Sequence, residues 1–142
     1  MARVKLELPD RFTFYTELTV RITDLNYGGH LGNADTLVLI HEARVQFLNS
    51  LGYSEIDVEG YGTIMLDAVI QFKSQAFAGD VLVVEVAAGD FSRIGCDIFY
   101  RLTNKETGVV VAVAKTGVSV FDYKNQKRVS PPAAFVEKLK QG

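Results

Sequence analysis

The sequence is poor in several residue types that would indicate particular classes of protein. Its 142 residues include one cysteine, three prolines and no tryptophan. The single cysteine, Cys96, cannot form an intramolecular disulfide, which excludes a disulfide-stapled secreted scaffold and favours a reducing compartment. Since the first ten residues show no targeting signal, we expect a cytoplasmic protein. Because no histidine is close to it in sequence, Cys96 is expected to be a small buried strand residue rather than a reactive thiol.

Charge and hydropathy exclude further classes. The net charge is -2, and the lysines and arginines are scattered, so nothing predicts a nucleic-acid partner. No apolar run is long enough to cross a membrane, and no cysteine and histidine spacing predicts a metal site. With 48% hydrophobic and 23% charged residues, the composition is typical of one globular domain spanning residues 1–142.

Periodicity and turn signals predict an α+β chain. We expect a first strand at Phe12–Ile22, a largely buried helix at about Ala34–Leu51, four strands at Thr63–Phe72, Asp80–Asp90, Ile94–Thr103 and Val109–Tyr123, and a short C-terminal helix. Asn33 and Ser130 are the expected N-caps, and Gly52 is the expected left-handed residue after the long helix. Short turns between successive strands favour an antiparallel sheet.

The loop before the long helix holds the densest set of chemically useful residues. A strand runs into it over Val20-Arg-Ile-Thr-Asp-Leu-Asn-Tyr-Gly-Gly-His-Leu-Gly-Asn33. Asp24 and Asn26 follow a strand end, and His30 lies at the turn. Such residues often bond only to their own backbone in turns, so a structural role stays open beside a functional one.

Three segments in register carry a resemblance to a known family. They are the loop just quoted, the helix His41-Glu-Ala-Arg-Val-Gln-Phe-Leu-Asn-Ser-Leu-Gly52, and the strand and turn Asp67-Ala-Val-Ile-Gln-Phe-Lys-Ser-Gln-Ala-Phe-Ala-Gly-Asp80. Together they resemble the 4-hydroxybenzoyl-CoA thioesterase-like family. The resemblance implies a hotdog fold, in which a five-stranded antiparallel sheet wraps around a long central helix. It also implies hydrolysis of an acyl-CoA thioester, with active sites at the interface of a homodimer or homotetramer.

The resemblance and the chemical needs of thioester hydrolysis together indicate roles for individual residues of the loop and helix. Many family members have a catalytic aspartate where this chain has Asn26, and an asparagine cannot act as a base. Asp24 or Glu42 is therefore the expected general base, with Asn26 and His30 beside it. Expected oxyanion and substrate contacts come from the segment that leads into the helix N-terminus, namely Gly29, Leu31, Gly32 and Asn33.

Charged residues elsewhere have competing interpretations. Lys73, Arg93 and Arg128 are candidates for binding the phosphates of coenzyme A, although each could equally be a solvated surface cation. Glu42 and Arg44 could be a compensated pair within the apolar helix. No cofactor is expected apart from the coenzyme A of the substrate.

Two other functions stay open at this level. The chain could bind acyl-CoA without turning it over, because the family aspartate is replaced by Asn26. It could also be a hotdog dehydratase, since one fold hosts both chemistries. Substituting Asn26→Asp should raise activity sharply if a missing carboxylate limits the rate.

Overall fold

The computed structural model describes all 142 residues and has an α+β architecture of six strands and two helices. The elements are β1 (Phe14–Thr19), α1 (Asn33–Ser50), β2 (Gly62–Phe72), β3 (Val81–Gly89), β4 (Gly95–Asn104), β5 (Val110–Asp122), β6 (Lys127–Val129) and α2 (Ala133–Gln141), with a single 3-10 turn at Ile22–Asp24 between β1 and α1. The predicted fold class is therefore confirmed. β6 was not predicted, because three residues are too few for a recognisable strand pattern.

All strands pair antiparallel in one sheet with the order β1-β3-β4-β5-β2, and β6 adds to the end of β5. β1 and β2 are therefore the two edges. Along β2 the pairing with β5 shifts register between Met65 and Asp67, where Leu66 forms a bulge. Leu66 is exposed, and so is Phe72 at the end of the same strand. The β2 edge consequently presents apolar side chains beside unpaired backbone groups.

Helix α1 packs across one face of this sheet and forms the core with it. Ile40, Ala43 and Phe47 are completely buried against Val84, Tyr100 and other inward-facing strand residues. The opposite face of α1 stays exposed, with Val38 54% accessible. The prediction of a largely buried helix is thus correct for its inner face only.

The helix boundaries correct two predicted caps. Gly32 is the N-cap of α1 and Asn33 is the first helical residue, because both the backbone N–H and the hydroxyl of Thr36 donate to the carbonyl of Gly32, at 3.0 and 2.8 Å. In α2 the N-cap is Pro132 rather than Ser130. Gly52 has a φ of 83°, as predicted for the left-handed position after α1.

Candidate active site

The loop between β1 and α1 is a tight, internally bonded turn. Leu25 and Leu31 form an isolated antiparallel bridge, and the N–H of Asn26 donates to the carbonyl of His30 at 2.9 Å. Gly29 lies at the tip with a φ of 80°, a conformation that side chains rarely adopt. The loop is therefore held in one shape at the N-terminus of α1.

Asp24 is a buried structural carboxylate at the base of this loop. The backbone N–H, Nε and Nη2 of Arg21 all donate to it, over 2.8, 3.2 and 3.0 Å. Only 2% of the residue is exposed. The side-chain hydrogen bonds from Arg21 hold the pKa of Asp24 below its usual range, against the opposing effect of burial. Because its oxygens are occupied and shielded, this geometry favours a loop-fixing role over the predicted role as base.

Asn26 and His30 come together on either side of Gly28. The Oδ1 of Asn26 accepts the N–H of Gly28 at 2.9 Å, while its Nδ2 has no partner. A Cβ added to Gly28 would lie 3.2 Å from both Asn26 Oδ1 and His30 Nε2. The ring of His30 also meets Phe77 edge-on, with centroids 6.4 Å apart. The loop thus leaves one amide donor, Asn26 Nδ2, free beside a histidine.

Most of the backbone amides proposed for the oxyanion are already used. The N–H groups of Gly29, Leu31 and Gly32 donate to the carbonyls of Asn26, Ala76 and Asp24, at 3.0, 2.7 and 3.0 Å. Because these three N–H groups are already bonded to backbone carbonyls, they are not free to hold an oxyanion, which differs from the expectation from the sequence. Their engagement follows from the bridge within the loop and from the close approach of the segment after β2.

The free amides lie one step further along the chain. The N–H groups of residues 33–35, in the first turn of α1, make no hydrogen bond in the structure. Such orphan donors carry the positive end of the helix dipole and suit a developing negative charge. Of the predicted oxyanion contacts, only Asn33 belongs to this set.

Glu42 lies on the outer face of α1, away from the loop. Its Oε1 accepts the Nε2 of Gln46 at 3.0 Å. Together with Arg21 it lines a groove of about 500 Å³ between β1 and α1, whose apolar wall includes Val38 and Val45. Since Arg21 also binds Asp24, the groove begins next to the loop. Glu42 could therefore contact a ligand in the groove, but it does not join Asn26 and His30.

Arg44 does not pair with Glu42, which corrects the predicted compensated pair. Its buried guanidinium approaches Glu55 at 3.5 Å and donates to the hydroxyl of Tyr100 at 3.4 Å. His41, on the same side of α1, contacts Glu55 at 2.6 Å. These groups tie the helix to the connector that precedes β2, so their role is structural.

The three cations proposed for the phosphates do not converge within one chain. Lys73 follows β2 and precedes Ala76, which accepts the amide of Leu31, so it lies at the loop end of the sheet. Arg128 pairs with Phe121 at the other end of β5, nine residues beyond the partner of Phe72. At roughly 3.3 Å per residue this separates Lys73 and Arg128 by about 30 Å. Arg93, just before β4, also lies at the far end.

The carboxylate of Asp67 in β2 and the thiol of Cys96 in β4 both have structural surroundings. Asp67 accepts Lys115 Nζ at 2.8 Å and the N–H of Gly117 at 3.0 Å, and the hydrogen bond from Lys115 lowers the pKa of that carboxyl. Cys96 is buried, as predicted, and burial raises the pKa of its thiol to about 12. A neutral, inaccessible thiol is a poor nucleophile.

The chain has neither a metal-binding group of side chains nor a membrane-spanning helix. No three histidine, cysteine, aspartate or glutamate side chains are grouped so that they could hold a metal ion. Neither helix combines the length and the hydropathy that a membrane crossing requires.

Comparison with known proteins decides the family. The profile of the thioesterase-like superfamily matches residues 20–139, which include the loop, α1 and the whole sheet after it. The chain belongs to the thioesterase-like superfamily. A protein of Aquifex aeolicus named as a candidate esterase is 33% identical over 101 residues, which are 70% of this chain and 76% of that protein.

Solved structures share the fold of this chain. A 1,4-dihydroxy-2-naphthoyl-CoA thioesterase from Synechocystis superposes with a TM-score of 0.80 and 22% identity, covering 89% of this chain and 94% of the other. A Staphylococcus aureus protein solved in complex with CoA gives a TM-score of 0.78 and 16% identity, covering 94% and 85%. These likenesses establish the hotdog fold that the three sequence segments predicted.

The structure also places a carboxylate at the site that the sequence did not single out. Asp35 lies in the first turn of α1, half-buried, with its side chain next to Gly32 and Asn26. In the sequence it looks like an ordinary acid favoured by the helix dipole. The only local signal was a glycine three residues before it, which does not by itself distinguish a site from a turn.

Proposed function

We propose that this protein is an acyl-CoA thioesterase, which cleaves the thioester bond with water and needs no cofactor. Membership of the thioesterase-like superfamily supports thioester hydrolysis in general. The observation that carries the proposal is the free Nδ2 of Asn26 beside the unpaired amides of residues 33–35. Together they can donate hydrogen bonds to a thioester oxygen as it becomes negative.

The groove between β1 and α1 is our candidate for the acyl group. Its volume of about 500 Å³ is in the range of small-molecule sites, and Leu18, Val38, Leu39 and Val45 give it a partly apolar lining. Arg21 connects its mouth to the loop that holds Asn26. We expect coenzyme A to extend away from the groove, toward Lys73 at the same end of the sheet. The CoA complex of the Staphylococcus aureus relative supports a ligand of this class.

We further propose that two chains pair through β2 as a homodimer, which could assemble again into a homotetramer. The β2 edge is open and carries exposed Leu66 and Phe72. Antiparallel pairing about a two-fold axis would bring the far end of one sheet, with Arg93 and Arg128, toward the loop end of its partner. Light scattering is expected to give at least twice the mass of the 15.7 kDa chain. A monomer at micromolar concentration would contradict this arrangement.

The test of function is thiol release from a panel of short, long and aromatic acyl-CoAs by the purified protein. Turnover of at least one substrate, well above the rate without enzyme, is expected. No turnover together with measurable acyl-CoA binding would instead favour a binding protein that lost catalysis with the family aspartate at Asn26. Neither turnover nor binding would contradict both functions.

A further inference from the structure

Asp35 is the carboxylate nearest to the free donors of the candidate site. It is the third residue of α1, and its side chain turns back over Gly32. A Cβ on Gly32 would overlap the Asp35 carboxylate and lie 3.6 Å from the Cβ of Asn26. Asp35 and Asn26 therefore flank the same small space at the start of the helix.

Asp35 differs from the other acids near the site because its carboxylate makes no hydrogen bond or ion pair, although the Arg21 guanidinium lies close enough for the charge of Asp35 to raise its pKa. Neither a hydrogen bond nor an ion pair reaches its oxygens, whereas Asp24 is held by Arg21 and Glu42 by Gln46. The side chain is only partly accessible to solvent. A half-buried carboxylate whose oxygens are unengaged is available to accept a proton from a water molecule.

Gly32 supports a functional interpretation of this arrangement. Its φ of -76° and ψ of 159° are ordinary extended values that any residue can adopt, so the backbone does not require glycine. What glycine provides at position 32 is room for the Asp35 carboxylate. The helix dipole would favour an acid in the first turn, but it does not explain the absence of a side chain at position 32.

We propose that Asp35 is the general base of the hydrolysis, replacing the carboxylate that the family places at Asn26. The proposal rests on the proposed thioesterase function and names the residue that activates water there. Asn26 keeps the position of the family aspartate and serves as a donor to the thioester oxygen. The base has moved by nine residues along the chain, but it lies beside Asn26 in space.

The step balances with the groups present. Asp35 takes one proton from water as the water oxygen bonds to the thioester carbonyl carbon, and the carbonyl electron pair moves to its oxygen. The oxyanion is held by Asn26 Nδ2 and the first-turn amides. The electron pair then returns, the carbon–sulfur bond breaks, and the leaving thiolate takes the proton from Asp35. The products are the free acid and coenzyme A, and Asp35 is again a carboxylate.

The deciding experiment compares Asp35→Asn with wild type on the best acyl-CoA of the panel. We expect kcat to fall by about 10²- to 10⁴-fold, with KM and the Kd for coenzyme A changed by less than about threefold, because the isosteric amide keeps the shape of the site. Asp35→Glu should recover part of the rate. Glu137→Gln, which neutralises an exposed acid on α2, is the matched control and should leave the rate unchanged.

Gly32→Ala provides a second variant that leaves Asp35 itself intact. The alanine Cβ would displace the carboxylate, while the backbone at position 32 accepts alanine without strain. We expect kcat to fall at least tenfold with an unfolding midpoint near that of wild type. A parallel fall in kcat for both variants supports the proposal.

Other outcomes are distinguishable. Full activity of Asp35→Asn in an active wild-type background would overturn the role of Asp35 and leave the proposed function standing. Loss of activity in Glu42→Gln but not in Asp35→Asn would overturn it in favour of Glu42 as the base. An inactive wild type would remove the proposed function, and the role of Asp35 with it.

Discussion

Replacing Asn26 with alanine is expected to lower kcat for acyl-CoA hydrolysis by about 10²- to 10³-fold, the usual effect of removing one oxyanion donor. The Nδ2 of Asn26 has no partner within the protein, so it is free to bind the thioester oxygen. The bond is strongest when that oxygen is negative, so the loss should fall mainly on kcat rather than on KM. Steady-state kinetics on one acyl-CoA would measure both.

The variant also loses the bond from the Gly28 N–H to Asn26 Oδ1, which is exposed and contributes about 0.5–1.5 kcal/mol. Urea unfolding should therefore show only a small loss of stability.

Asn26→Asp is the informative companion variant, since it keeps an acceptor for the Gly28 N–H but removes the Nδ2 donor and adds a negative charge near Asp35. We expect it to be slower than wild type. A rate above that of wild type would instead show that a missing carboxylate at position 26 limits activity. Asp35 would then not be the general base.

Replacing Asp24 with alanine is expected to destabilise the protein by about 2–3 kcal/mol, because hydrogen bonds to a charged group contribute more to stability than neutral ones. The variant would lose the three bonds from Arg21 that hold the start of the loop. The cost should stay below the 3–5 kcal/mol typical of breaking a fully buried ion pair, because the Arg21 side chain is 65% exposed and can turn to water. Chemical unfolding of the two proteins at neutral pH measures the difference.

The effect of Asp24 should depend on pH. Its pKa is lower in the folded protein than in the unfolded chain, so its ionised form stabilises the fold. That contribution is fully present above the unfolded value of about 4 and is lost as the pH falls through the folded pKa. The stability difference between wild type and Asp24→Ala should therefore be largest near neutrality and shrink in acid. A variant that is as stable as wild type yet inactive would contradict the structural role and restore Asp24 as a base.

Much of the architecture was predictable because the signals are local. Alternating apolar residues marked the strands, and Gly52 marked the end of α1 at a position where its positive φ is required. Three segments in order then indicated the hotdog fold, which the comparisons confirm. The N-cap of α1 is Gly32, one residue before the predicted Asn33, because the hydroxyl of Thr36 donates to the carbonyl of Gly32 and the first turn therefore begins one residue earlier.

The location of the candidate site was predictable as well, but the roles within it were not. Glycines, a histidine and two polar residues in one loop indicated that the candidate site lies between Asp24 and Asn33. Which donors are free depended on bonds that cross the fold, such as the amide of Leu31 to Ala76. The sequence also could not show that Asp35 folds back over Gly32.

By itself, the sequence determined the α+β class, the succession of the five longer strands and the long helix along the chain, and the loop that precedes that helix, because periodicity and turn signals arise from neighbouring residues. The order of the strands within the sheet, β1-β3-β4-β5-β2, came from the structure, since strand hydrogen bonds join residues that are distant in sequence. The tertiary structure decided which polar groups are occupied and which are free. The carboxylate of Asp24 is bonded to Arg21 in a buried turn. The Nδ2 group of Asn26 and the carboxylate of Asp35, by contrast, make no hydrogen bond within the protein. The physical reason is that a polar group becomes available for chemistry only when the packed chain leaves it no partner, and packing joins residues that are distant in sequence.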